Sequence, residues 1–215
     1  MPLLPQHIDI EDVKIGFWRT DEAADELFAV IANNLSAVEK TVYQSFKNDR
    51  RRREWLATRI LLKEMLGHYP QIVYDANGAP MLSGVANTYY ISVSHTDGIV
   101  AALLSKHRAG IDIERVTKRV LRIKDKFLTP DEFNYVPDCE LLHLLYIQWC
   151  AKEAMYKACN VAKYDYQHTY TLPDYHFDGN MQGKANGKVV LDDGSVKELI
   201  VNYFEIEGCV CCVAY

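Results

Sequence analysis

Strict alternation in Gly110-Ile-Asp-Ile-Glu114 constrains this chain more than any other feature, because a period of two fits an extended strand and not a helix. On such a strand Asp112 and Glu114 point to one face while Ile111 and Ile113 fill the other. A second segment, Trp149-Cys-Ala-Lys-Glu-Ala-Met-Tyr-Lys157, reads as a helix. Glu153 and Lys157 stand four apart on one face of it, with Lys152 off to the side. Singly, the strand acids read as an exposed sheet face, and the helix pair as a surface contact worth about 0.2–0.5 kcal/mol. Together they group three carboxylates and two lysines. Hard oxygen ligands suit Mg²⁺, which is commonly held by one or two carboxylates plus substrate phosphates, and a lysine nearby can take a further phosphate oxygen. Phosphate-transfer chemistry is the expectation.

The rest of the chain alternates helical and extended patterns, so the expected fold class is α+β. Glu22 to about Leu66 has apolar residues at helical spacing, with Gly67 placed as a C-cap. Ile72 to Tyr74 reads as a short strand before the turn Asn77-Gly78. Tyr89 to Val93 and Ile99 to Leu104 read as a hairpin across Asp97-Gly98. Thr129-Pro130-Asp131-Glu132 has the look of a helix start leading through Leu141, Leu142 and Leu145 into the Lys152-Glu153 helix. The closing segment from Leu199 to Tyr215 repeats the outline of the first hairpin, and Asp97-Gly98 aligns with Glu207-Gly208 without a gap. Two similar halves, residues 1–105 and 106–215, are therefore expected from an internal duplication.

Composition narrows the function classes. With 49% hydrophobic and 25% charged residues the chain should fold throughout. A net charge of −5 argues against bulk nucleic-acid binding. The basic residues are nevertheless uneven: Lys47, Arg50, Arg51, Arg52, Arg53 and Arg59 crowd one stretch, as a solvated helix face or as a patch for a phosphate-rich ligand or an acidic partner. The opening residues lack a basic n-region, and the longest apolar run, Ile99 to Leu104, is too short to span a bilayer. A cytoplasmic protein with no membrane association is expected. Cys209, Cys211 and Cys212 crowd a segment that reads as a buried strand and are expected to be reduced packing residues. No Gly-x-x-x-x-Gly-Lys-[Ser/Thr] loop is present, which disfavours a P-loop enzyme.

Gly-Ile-Asp-x-Glu followed some forty residues on by Trp-x-x-Lys-Glu-Ala-x-x-Lys resembles the signature of the 4′-phosphopantetheinyl transferases, in their Sfp-type, single-chain branch. Three further segments fall in the same order: Arg53 to Leu66, Asn77-Gly-Ala-Pro80 and Ile91-Ser-Val-Ser-His95. The resemblance implies a pseudo-twofold pair of α+β halves with coenzyme A in the cleft between them. It implies transfer of the 4′-phosphopantetheine arm of coenzyme A to a serine of an apo acyl, peptidyl or polyketide carrier protein, with release of 3′,5′-ADP. Asp112, Glu114 and Glu153 would hold Mg²⁺, or Mn²⁺. Glu153, or a water on the metal, would accept the serine proton, Lys157 would contact a phosphate, and Lys152 would support the same charge. Arg53, Ser94 and His95 would bind coenzyme A, with Arg53 near the 3′-phosphate. A monomer is expected. Two departures stand out: Ala79 where the family often has lysine, and Glu54 where a small hydroxyl residue can assist. Another Mg²⁺-dependent phosphotransferase, or an inactive carrier-binding module, are the alternatives. The basic and apolar interleaving from Val116 to Leu128 reads as a docking surface for an acidic carrier or as a packed helix with a solvated face.

Overall fold

The structure is a computed structural model that describes residues 3–4, 10–84, 89–132, 138–161 and 165–215. The chain divides into two compact units, Met1–Val73 with Pro80–Lys106, and Tyr74–Ala79 with His107–Tyr215.

In the first unit the described strands β1 (Leu3–Leu4), β2 (Val13–Arg19), β5 (Tyr90–Thr96) and β6 (Ile99–Ser105) form an antiparallel sheet in the order β1-β2-β6-β5. Strand β2 has consecutive buried residues, Ile15 through Trp18, so the alternation that announces a one-faced strand is absent from its sequence. The long helical pattern from Glu22 resolves into α1 (Ala24–Ile31), α2 (Ala37–Ser45) and α3 (Asp49–Leu66). Ser36 and Glu39 cap α2 reciprocally, and Asn48 accepts from the backbone of Arg50 to open α3. Gly67 ends α3 in the left-handed conformation at φ 77, as expected of its position. Strands β3 (Ile72–Tyr74) and β4 (Pro80–Leu82) pair separately. The core joins Leu27 and Ile31 of α1, Leu56, Ile60 and Leu61 of α3, and Val100, Ala102 and Leu104 of β6.

In the second unit β7 (Gly110–Arg115), β8 (Tyr170–Thr171), β9 (Gln182–Val190), β10 (Val196–Ile206) and β11 (Cys209–Ala214) form a sheet in the order β7-β11-β10-β9-β8. Helix α4 (Asp138–Cys159) lies on β7 and β11. Its core holds Leu144, Leu145, Ala151, Ala154 and Met155 against Val201, Val210 and Cys212. The expected helix start at Thr129 is a short 3₁₀ turn at Pro130–Glu132, and residues 133–137 lie outside the described residues. The basic stretch after β7 forms two further 3₁₀ turns, Lys118–Arg122 and Lys124–Lys126, rather than an α-helix.

Both units therefore contain a first strand, a long helix, and a hairpin whose second strand pairs with the first: β2, α3, β5-β6 and β7, α4, β10-β11. The hairpins close with Thr96 opposite Ile99 and Ile206 opposite Cys209. Glu207 and Gly208 both take positive φ, 52 and 70, as a type I′ turn requires; at the first turn only Gly98 does, at 83. Cys209 and Cys212 stand three apart on an extended strand, so their buried, reduced side chains leave opposite faces and cannot pair. Among the described residues no helix is long and apolar enough to cross a membrane.

Candidate active site

The carboxylates of β7 are brought to α4 by the register of the sheet. Asp112 lies opposite Cys212 and Glu114 opposite Val210, and both of those partners face the α4 core. The approach of α4 depends on Gly110. A Cβ there would meet the backbone oxygen of Ala154, the backbone nitrogen of Ala158 at 2.7 Å and Cβ of Lys157 at 2.9 Å. Without a side chain at 110, the turn carrying Glu153 and Lys157 rests directly on the start of the acidic strand.

Lys157 reaches into this joint. Its Nζ donates to Asp112 Oδ1 at 2.7 Å and to the carbonyl of Ile111 at 2.9 Å. Asp112 is 5% exposed, so the ammonium neutralises a carboxylate that water barely reaches. Glu153, one turn earlier on the same face, has its carboxyl pushed up to about 7. Burial is the main cause and the neighbouring Asp112 charge comes next; Lys157 and a hydrogen bond from Tyr166 pull the other way, and Glu114 adds a further upward push. Asp112, Glu114 and Glu153 thus stand close enough to act on one another, with Lys157 among them. Among the described residues no three His, Cys, Asp or Glu side chains converge closely enough to hold an ion as they stand. The donor set nonetheless fits a hard divalent cation: it is all oxygen, mutually repelling and partly desolvated.

Lys152 is not in this group. It is fully buried, and its Nζ donates to Phe127 O at 2.6 Å, Glu132 Oε2 at 2.7 Å and Tyr166 O at 2.9 Å. An ammonium has three donors, and all three are used. Glu132 is satisfied in turn by Thr129 N and Leu172 N. Burial draws the Lys152 pKa below its ordinary value, against the opposing pull of Glu132. Rather than supporting the charge at Glu153, Lys152 ties together the 3₁₀ turns, α4 and the approach to β8.

Tyr166, which no motif singled out, connects the two clusters. Its carbonyl accepts from Lys152 and its hydroxyl hydrogen-bonds Glu153, while its ring lies 5.4 Å from Trp149 and 5.3 Å from Tyr170. Trp149 of the helix motif is therefore a wall of the site. The only sequence signal was a tyrosine-rich run from Tyr164 to Tyr170.

The residues expected to bind coenzyme A lie in the first unit, and the basic stretch there splits by role. Arg59 is buried against Glu39 and the Trp55 ring, and Arg52 donates to Phe46 O. Arg53 donates to Thr20 O at 3.0 Å and pairs with Asp49. It is Arg51 that meets His95, with Nη1 2.8 Å from Nε2. His95 Nδ1 lies 3.3 Å from Glu54 Oε2, and Arg50 Nε donates to Glu54 Oε1 at 2.8 Å. Burial opposes ionisation of Glu54, but His95 and Arg50 outweigh it and hold its carboxyl below the usual value. Ser94, adjacent to His95 on β5, is buried and projects from the opposite face of the strand. Glu54, first read as a departure from the motif, is the hub of this cluster. In the second unit Asp75 accepts from the backbone of Asn77 and Ala79 and from Asn160, so the expected Asn77-Gly78 turn is pinned.

The sequence model of the 4′-phosphopantetheinyl transferase superfamily matches residues 108–174, from just before β7 to just beyond β8. Over 70 residues the chain is 39% identical to the 4′-phosphopantetheinyl transferase AcpT of Salmonella typhimurium (strain LT2) and 37% identical to the protein of the same name from Salmonella typhi. Each alignment takes in 32% of this chain and 36% of the relative, so the chain matches about a third of the length of these curated relatives. Across the segment that carries Asp112, Glu114, Glu153 and Lys157, the chain is similar to the 4′-phosphopantetheinyl transferase superfamily.

Proposed function

We propose that this chain transfers the 4′-phosphopantetheine arm of coenzyme A to a serine hydroxyl of an apo carrier protein, as the Sfp-type, single-chain members of the superfamily do. The observation that carries the reading is the joint of β7 and α4, where Glu153 is pushed up to about 7 beside Asp112, Glu114 and Lys157, inside the segment that matches the superfamily. Asp112, Glu114 and Glu153 would hold Mg²⁺ or Mn²⁺, which when bound neutralises charge on the pyrophosphate oxygens. The serine Oγ attacks the β-phosphorus, the bond to the bridging oxygen breaks, and 3′,5′-ADP leaves with the electron pair. A carboxyl that titrates near neutrality suits Glu153 to accept the serine proton. Lys157 donates to a phosphate oxygen as negative charge builds there.

The second unit is thus the catalytic side, and the first, with Arg51, Arg53 and His95, the side that takes the phosphates of coenzyme A. The carrier docks on the exposed face of the 3₁₀ turns after β7. There Lys118, Arg119 and Arg122 surround exposed Leu121, while Val120, Phe127 and Leu128 turn inward to the core. A monomeric, cytoplasmic enzyme is consistent with this reading. Incubation with coenzyme A, Mg²⁺ and an apo acyl carrier protein should raise the carrier mass by one phosphopantetheine arm. An unmodified carrier, with a panel of peptidyl and polyketide carriers also unmodified, would reject the transferase reading. Binding of the carrier without modification would favour an inactive module.

A further inference from the structure

Within the first unit, Arg51, His95 and Glu54 form a closed ring. Arg51 Nη1 is 2.8 Å from His95 Nε2, His95 Nδ1 is 3.3 Å from Glu54 Oε2, and Glu54 Oε2 is 3.9 Å from Arg51 Nη1. A guanidinium only donates, so Nε2 must be the acceptor and carry no proton; the ring proton is then on Nδ1, aimed at Glu54. Glu54 is 5% exposed, whereas the side chains of Arg51 and His95 are half and more than one-third exposed. The carboxylate is a fixed inner post and the two nitrogen groups form the solvent side. The other charges facing His95 are Arg50, paired with Glu54, and Asp97 of the following turn, 3.7 Å from Arg50. On β6 the residue opposite His95 is Val100, and β4 supplies only Pro80, Met81 and Leu82, so neither strand adds a titratable group.

Resting on the transferase reading, we infer that Glu54 is a positioning residue for His95 and that the ring couples phosphate binding to proton uptake. A phosphate offers Arg51 a charge-assisted bond stronger than the one to a neutral imidazole, so Arg51 turns to the anion and frees Nε2. The freed nitrogen then lies between the incoming phosphate and Glu54, two negative groups that favour the imidazolium. The proton comes from solvent, and His95 bonds the phosphate through Nε2 and Glu54 through Nδ1. Glu54 thereby lets His95 meet the ligand as a second donor beside Arg51. A small hydroxyl residue at that position could not do this.

Calorimetric titration of the full chain with 3′,5′-ADP, in buffers of different ionisation enthalpy, tests this directly. The wild type should show heats that depend on the buffer, the signature of net proton uptake on binding. His95→Gln, at a partly exposed position, should fold, bind more weakly and show no uptake. Glu54→Gln should lose most of the uptake and raise the KM for coenzyme A roughly tenfold with kcat nearly unchanged. Heats independent of buffer in the wild type, uptake that survives His95→Gln, or a Glu54→Gln variant with unchanged uptake would each overturn the inference. So would a wild type that does not bind 3′,5′-ADP. The carrier mass assay separates this from the transferase reading: transfer without proton uptake rejects the ring alone, and uptake without transfer rejects the transferase assignment alone.

Discussion

The two units share a strand, helix and hairpin connectivity, yet the charged groups under their long helices have opposite signs. In the first, a buried carboxylate, Glu54, gathers Arg50, Arg51 and His95. In the second, Lys157 sits among Asp112, Glu114 and Glu153. The joints differ as well. Gly16 of β2 and Gly110 of β7 both lie under the helix, but a Cβ on Gly16 would meet only side chains, Leu61 and Met65 at 2.8 Å, whereas one on Gly110 would meet the helix backbone. One frame can thus hold cations toward an anion or anions toward a cation, and the sign is set by a few residues on the helix and the strand beneath it. The rigid joint belongs to the unit that would do chemistry, where small displacements are most costly.

The strongest expected break in that comparison comes from Lys152→Ala. It leaves Glu132 charged and buried and should destabilise the chain by about 3–5 kcal/mol; a chemical-denaturation midpoint close to wild type would show that the ammonium is not a structural tie. Next, Asp112→Ala and Glu153→Ala should lower transfer by about 10²–10³ while far-UV circular dichroism is unchanged, and excess EDTA should stop the wild type. Wild-type rates in either variant would remove the acidic cluster from the chemistry. Gly110→Ala should cost about 1–3 kcal/mol of stability and reduce transfer as well, because the helix must shift. Gly16→Ala should cost clearly less, since side chains can give way; equal losses in both would erase the distinction between the joints.

A smaller effect concerns pH. The folded pKa of Glu153 is raised, so its share of stability is present below its usual carboxylate pKa and is lost as pH rises toward about 7. A bound cation must displace that proton, so the thermal shift produced by Mg²⁺ should be larger at about pH 8 than at about pH 6. A shift independent of pH would mean that Glu153 is not among the ligands. The smallest expected effect is at the surface: reversing Arg119 and Arg122 to Glu should lower kcat/KM for the carrier several-fold at low salt and flatten its salt dependence, as rim charges do. An unchanged salt slope would move docking elsewhere.

Much of this was legible in the residues themselves. The alternation of β7, the i, i+4 spacing on α4, the Asp97-Gly98 turn and the Gly67 cap each depend on neighbours in sequence, and those are the relations a sequence displays. What escaped depends on distant partners. Strand β2 is buried on both faces, so its pattern carried no period. Lys152 adjoins Glu153 in the chain, but one residue is about 100° around a helix, enough to turn its ammonium away from Glu153 and into the core toward Phe127 and Glu132. Glu54 looked like a misfit because its partner, His95, arrives from another element, and the bond from Arg53 to the Thr20 backbone joins residues 33 apart in sequence. Tyr166 follows no spacing rule at all.

Lys157 carries a last consequence. Small domains that assemble around a structural ion collapse when it is withdrawn, since nothing else offsets the repulsion of their ligands. Here an ammonium grown from the chain itself already rests on Asp112. On the proposed reading it would stand in for a divalent ion held by these acids, so the architecture would keep its shape with no ion bound. Chelation should silence such a protein without unfolding it, and readmission of the ion should restore it without any refolding step.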